Sequence, residues 1–446
     1  MLRIIHQLDD AKAELQRICD RTHDSQVTEK EATVRENVEA VRTTGDKALL
    51  HYTEKFDRQQ LTPATLRVDG AQLDAAYQQI SPELLKAIQK ACGNIDAFHR
   101  QRLPKSWVTF EDDGVVLGKR YTPVAKAGIY VPGGRASYPS TGMMNAIPAR
   151  VAGVARVVMT TPIGPDGVIS PAVLVAAQEA GVEEIYQVGG AQAIAALAYG
   201  TETIPAVNVI TGPGNIYVTL AKKQVFGTVG IDSLAGPSEV LIIADHTADP
   251  VYVATDLLAQ AEHDPMAAAI LITPDATLAE SVVVEVDRQL AGHPRQTLTE
   301  KAIANYGAAI VVDSLETAIA LSNDFAPEHL ELEVADPWRW LEHIRHAGAI
   351  FLGHATPEAV GDYLAGPNHT LPTSGAARYA SPLSAETFMK HSSLIQYSPS
   401  ALDQVSSAIA RLTEAEGLPS HGDSVQVRSN RSNRSPSDEN GGIGGR

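Results

Sequence analysis

The chain has two cysteines, Cys19 and Cys92, in 446 residues. That is too few for a disulfide framework or a thiolate metal cage. Cys92 falls in line with Leu85, Ile88 and Ile95 at helical spacing, the position of a core residue and not of a nucleophile. Basic residues are also in deficit: 36 Lys and Arg face 53 Asp and Glu, a formal net charge of −17. This balance argues against nucleic acid or an anionic membrane surface as the main partner. An anionic cofactor stays admissible, because backbone N–H groups at helix ends hold phosphates without net positive charge. No apolar run is long enough to span a bilayer, and the opening "MLRIIHQLDDAKAELQ" lacks the apolar stretch of a signal peptide. The expected location is cytoplasmic.

What is present is a change of texture along the chain. Residues 1–124 read as helical: "TVRENVEAV" puts Val34, Val38 and Val41 on one stripe, and "SPELLKAIQK" opens with Ser81 as N-cap and Pro82 at the first helical position. From about Ala125, short β-branched runs alternate with helical segments, the pattern of largely parallel sheet covered by helices on both faces. An interruption at "DSLAGPSE" divides the alternation into a unit over 125–236 and another over 237–380. Helical pattern returns over 381–428, beginning with "SPLSAETFMK", and is free to pack on a second subunit. The polar, Gly/Ser-rich stretch 429–446 is expected to be disordered.

Three glycine-bearing turns, "IYVPGG", "QVGGAQA" and "ITGPGN", occur where a strand hands over to a helix or loop. Glycine there lets backbone approach a ligand, and a helix N-terminus beyond the turn favours an anion. None carries the full G-x-G-x-x-G fingerprint; together they point to a loosely held nucleotide, singly to tight turns. In "LLAQAEHDP", Gln260 and His263 stand three apart near a helix end, so both can reach one ion. An anionic partner is needed from elsewhere; Asp362 and His421 are available, but spacing does not select them. In "FAPEHLEL", Glu328 and His329 are adjacent. Neighbours on an extended strand point to opposite faces, so both serve one site only from a turn. Pro327 favours such a turn and biases Ala326 toward extended geometry.

Taken in order, "GIYVPGG", "QVGGAQAIAALAYGT", "GPGN", "AGPSEVLIIAD", "AQAEHDP", "APEHLEL", "GDYLAGPNHTLPTSGAARYASPLS" and "EGLPSHGDSVQVR" resemble the histidinol dehydrogenase family, up to about Arg428. The resemblance implies two incomplete Rossmann-like parallel-sheet units between helical ends, in an intertwined homodimer. It further implies a zinc- and NAD-dependent oxidation of L-histidinol through L-histidinaldehyde to L-histidine, the last step of histidine biosynthesis. Its zinc ligands fall on Gln260, His263, Asp362 and His421, and its NAD contacts on Tyr130, Gln192 and Asn215. Substrate contacts fall on Ser238, Glu416, His329 and the metal-site residues, with Glu416 and His421 reaching the neighbour's site. Glu328 and His329 match the acid–base pair: His329 takes the alcohol and gem-diol protons, and Glu328 activates the water. An unperturbed imidazole, with a pKa near ~6.5, suits that task.

Three competing readings are open on sequence alone. A related dehydrogenase would act on another small alcohol, such as a sulfonated diol. A zinc hydrolase would use Glu328 on a metal-bound water, although H-E-x-x-H is absent. A non-catalytic nucleotide-binding protein would leave Glu328, His329 and the zinc set without purpose.

Overall fold

Strand–helix alternation from residue 126 onward builds two parallel sheets, seen in a computed structural model of the chain that describes residues 2–22, 27–111, 114–133, 137–164 and 167–432. The first sheet contains β4 (Lys126–Tyr130), β5 (Arg156–Thr160), β6 (Glu184–Tyr186), β7 (Val209–Thr211) and β8 (Gly230–Ile231). Their order is β6-β5-β4-β7-β8, with every pair parallel. The chain winds outward from β4 through β5 to β6, then crosses to the other side for β7 and β8. The order therefore reverses between β4 and β7, the place where parallel sheets open a crevice.

A second sheet repeats that winding. It contains β9 (Glu239–Ala244), β10 (Ala268–Thr273), β11 (Gly307–Val311), β12 (His329–Glu333) and β13 (Ala349–Leu352), and its reversal lies between β9 and β12. One strand more, β1 (Arg3–Ile5), adds itself in parallel beside β11, with Ile4 opposite Ala309. This corrects the helical reading of the first residues: a three-residue strand is too short to show alternation. The rest of that region is largely helical as expected. Val34, Val38 and Val41 are buried in one core with Ile194, Leu197 and Ile210, and the Ser81 side chain accepts from Leu84 N. Burial pushes the Cys19 thiol up to about 11 and that of Cys92 to about 12, so neither is a ready thiolate.

The faces of β12 are chemically opposite. Leu330 and Leu332 enter an apolar core with Leu241, Ile243 and Ile270. His329, Glu331 and Glu333 alternate with them and point the other way, all buried. Parallel pairing sets His329 beside Val240 and Glu331 beside Ile242, whose side chains pack with Val253 and Leu257 of the helix Pro250–Ala261. A row of ionisable groups thus faces a helix that carries Asp256 and Gln260.

Both sheets belong to one compact unit, Met1–Leu103 with Val124–Phe388; Pro104–Pro123 and Met389–Arg446 form the other. In this second unit β2 (Trp107–Phe110), β3 (Val115–Pro123) and β14 (Met389–Tyr397) make an antiparallel sheet in the order β14-β3-β2. Strand β14 corrects the helical reading of 381–428: the helical pattern stops at Phe388, and "KHSSLIQY" pairs along β3. Helices Pro399–Ala415 and Pro419–Ser432 come next, so residues 429–432 are helical and 433–446 lie outside the described residues. Among the described residues no helix is long and apolar enough to cross a membrane.

One buried ion pair shapes the crevice of the first sheet. Lys222 and Asp232 are in contact with their side chains 2% and 4% exposed. Lys222 Nζ also donates to Gly212 O at 3.0 Å, and Asp232 accepts from Gly212 N at 2.8 Å. Gly212 has φ +113°, and a Cβ there would meet Tyr130 O at 2.1 Å, so the turn admits only glycine. Lys222→Met would strand the Asp232 carboxylate and should lower the unfolding free energy by about 3 kcal/mol. Urea melts measure this, and an unchanged midpoint would contradict it.

Candidate functional site

The carboxyl ends of β4 and β7 open on a cavity of about 700 Å³ lined by Asn37, Asp57, Tyr130, Gln192, Asn215 and others. The structure therefore brings Tyr130, Gln192 and Asn215, one beside each glycine turn, to a single place; Gly134 of "IYVPGG" lies outside the described residues. Each is tied down locally. Tyr130 OH accepts from Gly190 N at 3.1 Å, Asn215 caps the helix Ile216–Val225, and the Gln192 amide bridges Asn37 at 3.2 Å and Asp57 at 3.5 Å. Two helices begin at this wall, Gly190–Tyr199 and Ile216–Val225. Their positive N-terminal ends suit phosphate, although Tyr217 N, Val218 N and Gly190 N already donate to Asn215 and Tyr130, and the volume is that of a small-molecule or cofactor site, so the lining fits a dinucleotide.

A second constellation forms at the amino ends of β9 and β12. Glu328 precedes β12 and His329 begins it, and both are held by the peptide groups of Glu239. Its N–H donates to Glu328 Oε2 at 2.9 Å, and its carbonyl lies 3.0 Å from His329 Nδ1. Gln260 Nε2 lies 3.2 Å from the same Nδ1. One tautomer cannot satisfy both; a carbonyl can only accept, so Nδ1 carries the hydrogen and Nε2 the lone pair. The side chain of Glu239 is paired with Arg21 at 3.0 Å, both essentially unexposed. Arg21 also donates to the carbonyls of Ile18, Met266 and Pro237.

The approach to this pair differs from the sequence reading. Ala326 is left-handed, with φ 55° and ψ 65°, where Pro327 led us to expect extended backbone. Its N–H must bond to Ser322 O to end the helix Leu315–Phe325, and the chain then turns straight into β12. Gly348 allows the close packing beside it, since a Cβ there would lie 2.5 Å from Glu328 O.

Carboxylates crowd the imidazole. Asp362 Oδ1 is 3.8 Å from His329 Nε2, Glu358 Oε2 is 3.8 Å from Nδ1, and Glu328 Oε2 is 3.7 Å from Nδ1. His369 Nδ1 is 3.9 Å from Asp362. Burial, helped by the neighbouring His263 and His369 and opposed by the Glu239 carbonyl, holds His329 down to about 3. Burial raises Asp362 to about 7 and lifts Glu328 well above the carboxylate range, the latter with help from Glu239 and Asp362. The imidazole is thus neutral and farther from its ordinary value than the sequence reading assumed.

His329, Glu358 and Asp362 lie close enough to share one metal ion, but a lone pair that His329 gives to a metal is lost to proton transfer, so the carboxylate oxygens are the donors compatible with a basic imidazole. Buried Gln260 Oε1, His329 Nε2 and Glu358 Oε2 have no hydrogen-bond partner. Mixed nitrogen and oxygen donors amid excess carboxylate fit a divalent cation such as zinc. Glu358 and His369 escaped the sequence reading. Glu358 and Asp362 share a helix face at i and i+4 in "PEAVGD", a signal that was there to find. Gln260 and Asp362 both reach His329, and the charge of His263 is felt by it. Ser238 sits half-buried directly before β9. Glu416 and His421 belong to the second unit, where both are exposed.

These features define an α/β protein with a cofactor-sized cavity on one parallel sheet and a buried acid–imidazole, cation-ready centre on the other. The profile of the family described as histidinol dehydrogenase matches residues 20–429, and the chain belongs to that family. It is 73% identical over 428 residues to histidinol dehydrogenase 2 of Trichormus variabilis, covering 96% of this chain and 99% of the relative. Against the histidinol dehydrogenase of Synechococcus sp. identity is 71%, with the same coverage. The crystal structure of histidinol dehydrogenase from Elizabethkingia anophelis superposes with a TM-score of 0.90 at 38% identity, covering 97% of this chain and 99% of that one.

Farther along β12, Glu331, Glu333 and Asp256 form another close group, and Glu331 Oε1 accepts from Glu358 N at 2.7 Å. Burial, then Asp256 and Asp249, raise Glu333 to about 8. A raised acid contributes stability below its unfolded value of 4.5 and loses it as pH climbs to about 8. Glu333→Gln should therefore gain on the wild type between about pH 5 and about pH 8, by roughly 5 kcal/mol. Paired thermal melts read the change; a constant difference would contradict it.

Proposed function

We propose that the chain oxidises L-histidinol to L-histidinaldehyde and then to L-histidine, using two NAD and one water, as the closing reaction of histidine biosynthesis. Family membership supports the activity. The single observation that carries the chemistry is the one residue of β9 whose peptide groups hold both a carboxylate and an imidazole. Oxidising an alcohol needs a base for the hydroxyl proton, and oxidising the aldehyde needs another for the water that adds to it.

His329 Nε2, neutral and unprotonated, takes the hydroxyl proton of the alcohol and later that of the gem-diol. Glu328, whose proton affinity is raised by burial and by Glu239, takes a proton from the adding water. Bound NAD would accept hydride, from the cavity bordered by Tyr130, Gln192 and Asn215. Gln260, His263 and Asp362 would hold zinc, with His421 from a second subunit, and the ion would supply a Lewis-acidic anchor for the substrate's imidazole and amine. Ser238 and Glu416 would position the substrate. The assembly in this reading is an intertwined homodimer with shared sites.

Purified protein should yield two NADH for each L-histidinol consumed, lose turnover on chelation and regain it with zinc. His329→Asn should lower kcat by about 10²–10⁴. Glu328→Gln should slow the second oxidation more than the first, so that NADH per L-histidinol falls toward one. Release of the aldehyde as the wild-type end product, or equal turnover of simple diols, would sink the assignment.

Shared sites have their own test. Inactive His329→Asn and His421→Ala chains, co-expressed with different tags and purified as heterodimers, should recover about half the wild-type specific activity, because one of the two shared sites then draws only on unmutated residues. Verified heterodimers with no activity would contradict sharing.

A further inference from the structure

Asp57 has no part in the chemistry above. It ends the helix Asp46–Asp57, and its half-buried carboxylate lies on the wall of the cavity that holds Tyr130, Gln192 and Asn215. Gln192 Nε2 stands 3.5 Å from its Oδ2, a long contact that leaves most of the acceptor capacity unused. Burial alone pushes its pKa up to about 6, so donors from a ligand would stabilise the charged form. The next residue, Arg58, is left-handed at φ 56°, exposed, and on the same cavity wall.

Parallel-sheet dinucleotide sites commonly use an acid to bind the adenosine ribose hydroxyls and an arginine to accommodate a 2′-phosphate. In the fingerprint form the acid lies about 20 residues beyond the glycines, and this sequence lacks the fingerprint. Here a carboxylate arrives from a helix that precedes the sheet, with an arginine directly behind it.

On the dinucleotide chemistry proposed above, we infer that Asp57 accepts hydrogen bonds from the adenosine ribose hydroxyls of NAD and repels the 2′-phosphate of NADP. The charge decides the sign. A carboxylate at the ribose gains two donors from a diol but meets a dianion when the 2′ position is phosphorylated. Once the carboxylate is removed, Arg58 is left to attract that phosphate.

The test is calorimetric titration of NAD and of NADP onto the full-length zinc-loaded wild type, Asp57→Asn and Asp57→Ser, without substrate. Each protein's ratio of the two affinities is the readout, so an inactive fraction in a variant cancels. The wild type should favour NAD by at least about tenfold, and both variants should cut that ratio by about tenfold, with weaker NAD and stronger NADP binding. A wild type that prefers NAD while both variants keep the preference overturns the role of Asp57 alone. A wild type that binds neither dinucleotide overturns the functional reading and this inference with it.

Discussion

The peptide groups on either side of the Glu239 Cα hold the centre together. Parallel pairing of β9 with β12 carries this residue to the start of the neighbouring strand, where N–H meets Glu328 and C=O meets His329. The Glu239 side chain is unavailable for chemistry, being neutralised by Arg21, which is itself fixed by three carbonyls. Backbone sets the distance between the two bases and also the tautomer of the imidazole. A slip of one residue in the register would turn His329 into the apolar layer with Leu330 and Leu332 and dissolve the site.

Two sheets with the same winding are used at opposite ends. The first offers its carboxyl ends, where the next helices present their positive N-termini and an anion is welcome. The second builds its centre at the amino ends, where preceding helices arrive with negative C-termini: Pro250–Ala261 brings Gln260 and leads to His263, and Leu315–Phe325 leads to Glu328. The macrodipole therefore favours phosphate in one place and a cation in the other. Carboxylates at the second place, the buried Glu328 and Glu358 and the half-buried Asp362, add to the same preference.

The sequence announced the alternation of the sheets and the three glycine turns, because each has a local signature in composition or spacing. The convergence of Tyr130, Gln192 and Asn215 was implied only through family likeness, since those residues approach one another through strand order. Glu239 was invisible because it acts through its backbone, which any residue possesses. Ala326 ran against the local rule for a residue before proline: the helix end and the strand start leave it no other conformation. Strand β14 was missed because its pairing partner, β3, lies more than two hundred residues earlier and its own run is largely exposed, with no alternation of apolar and polar residues.

Strand β1 bears on how the protein is made. Its pairing partner β11 begins at Gly307, so at ribosomal rates the first strand waits roughly 15–60 s before a complementary edge exists. During that interval its hydrogen-bonding groups are open to other chains or to chaperones, and Arg3 and the acid-rich helix Leu8–Cys19 beyond it give it charge against aggregation. Closure of the second sheet is then a late, long-range event, slow by topology and sensitive to anything that occupies β1 beforehand.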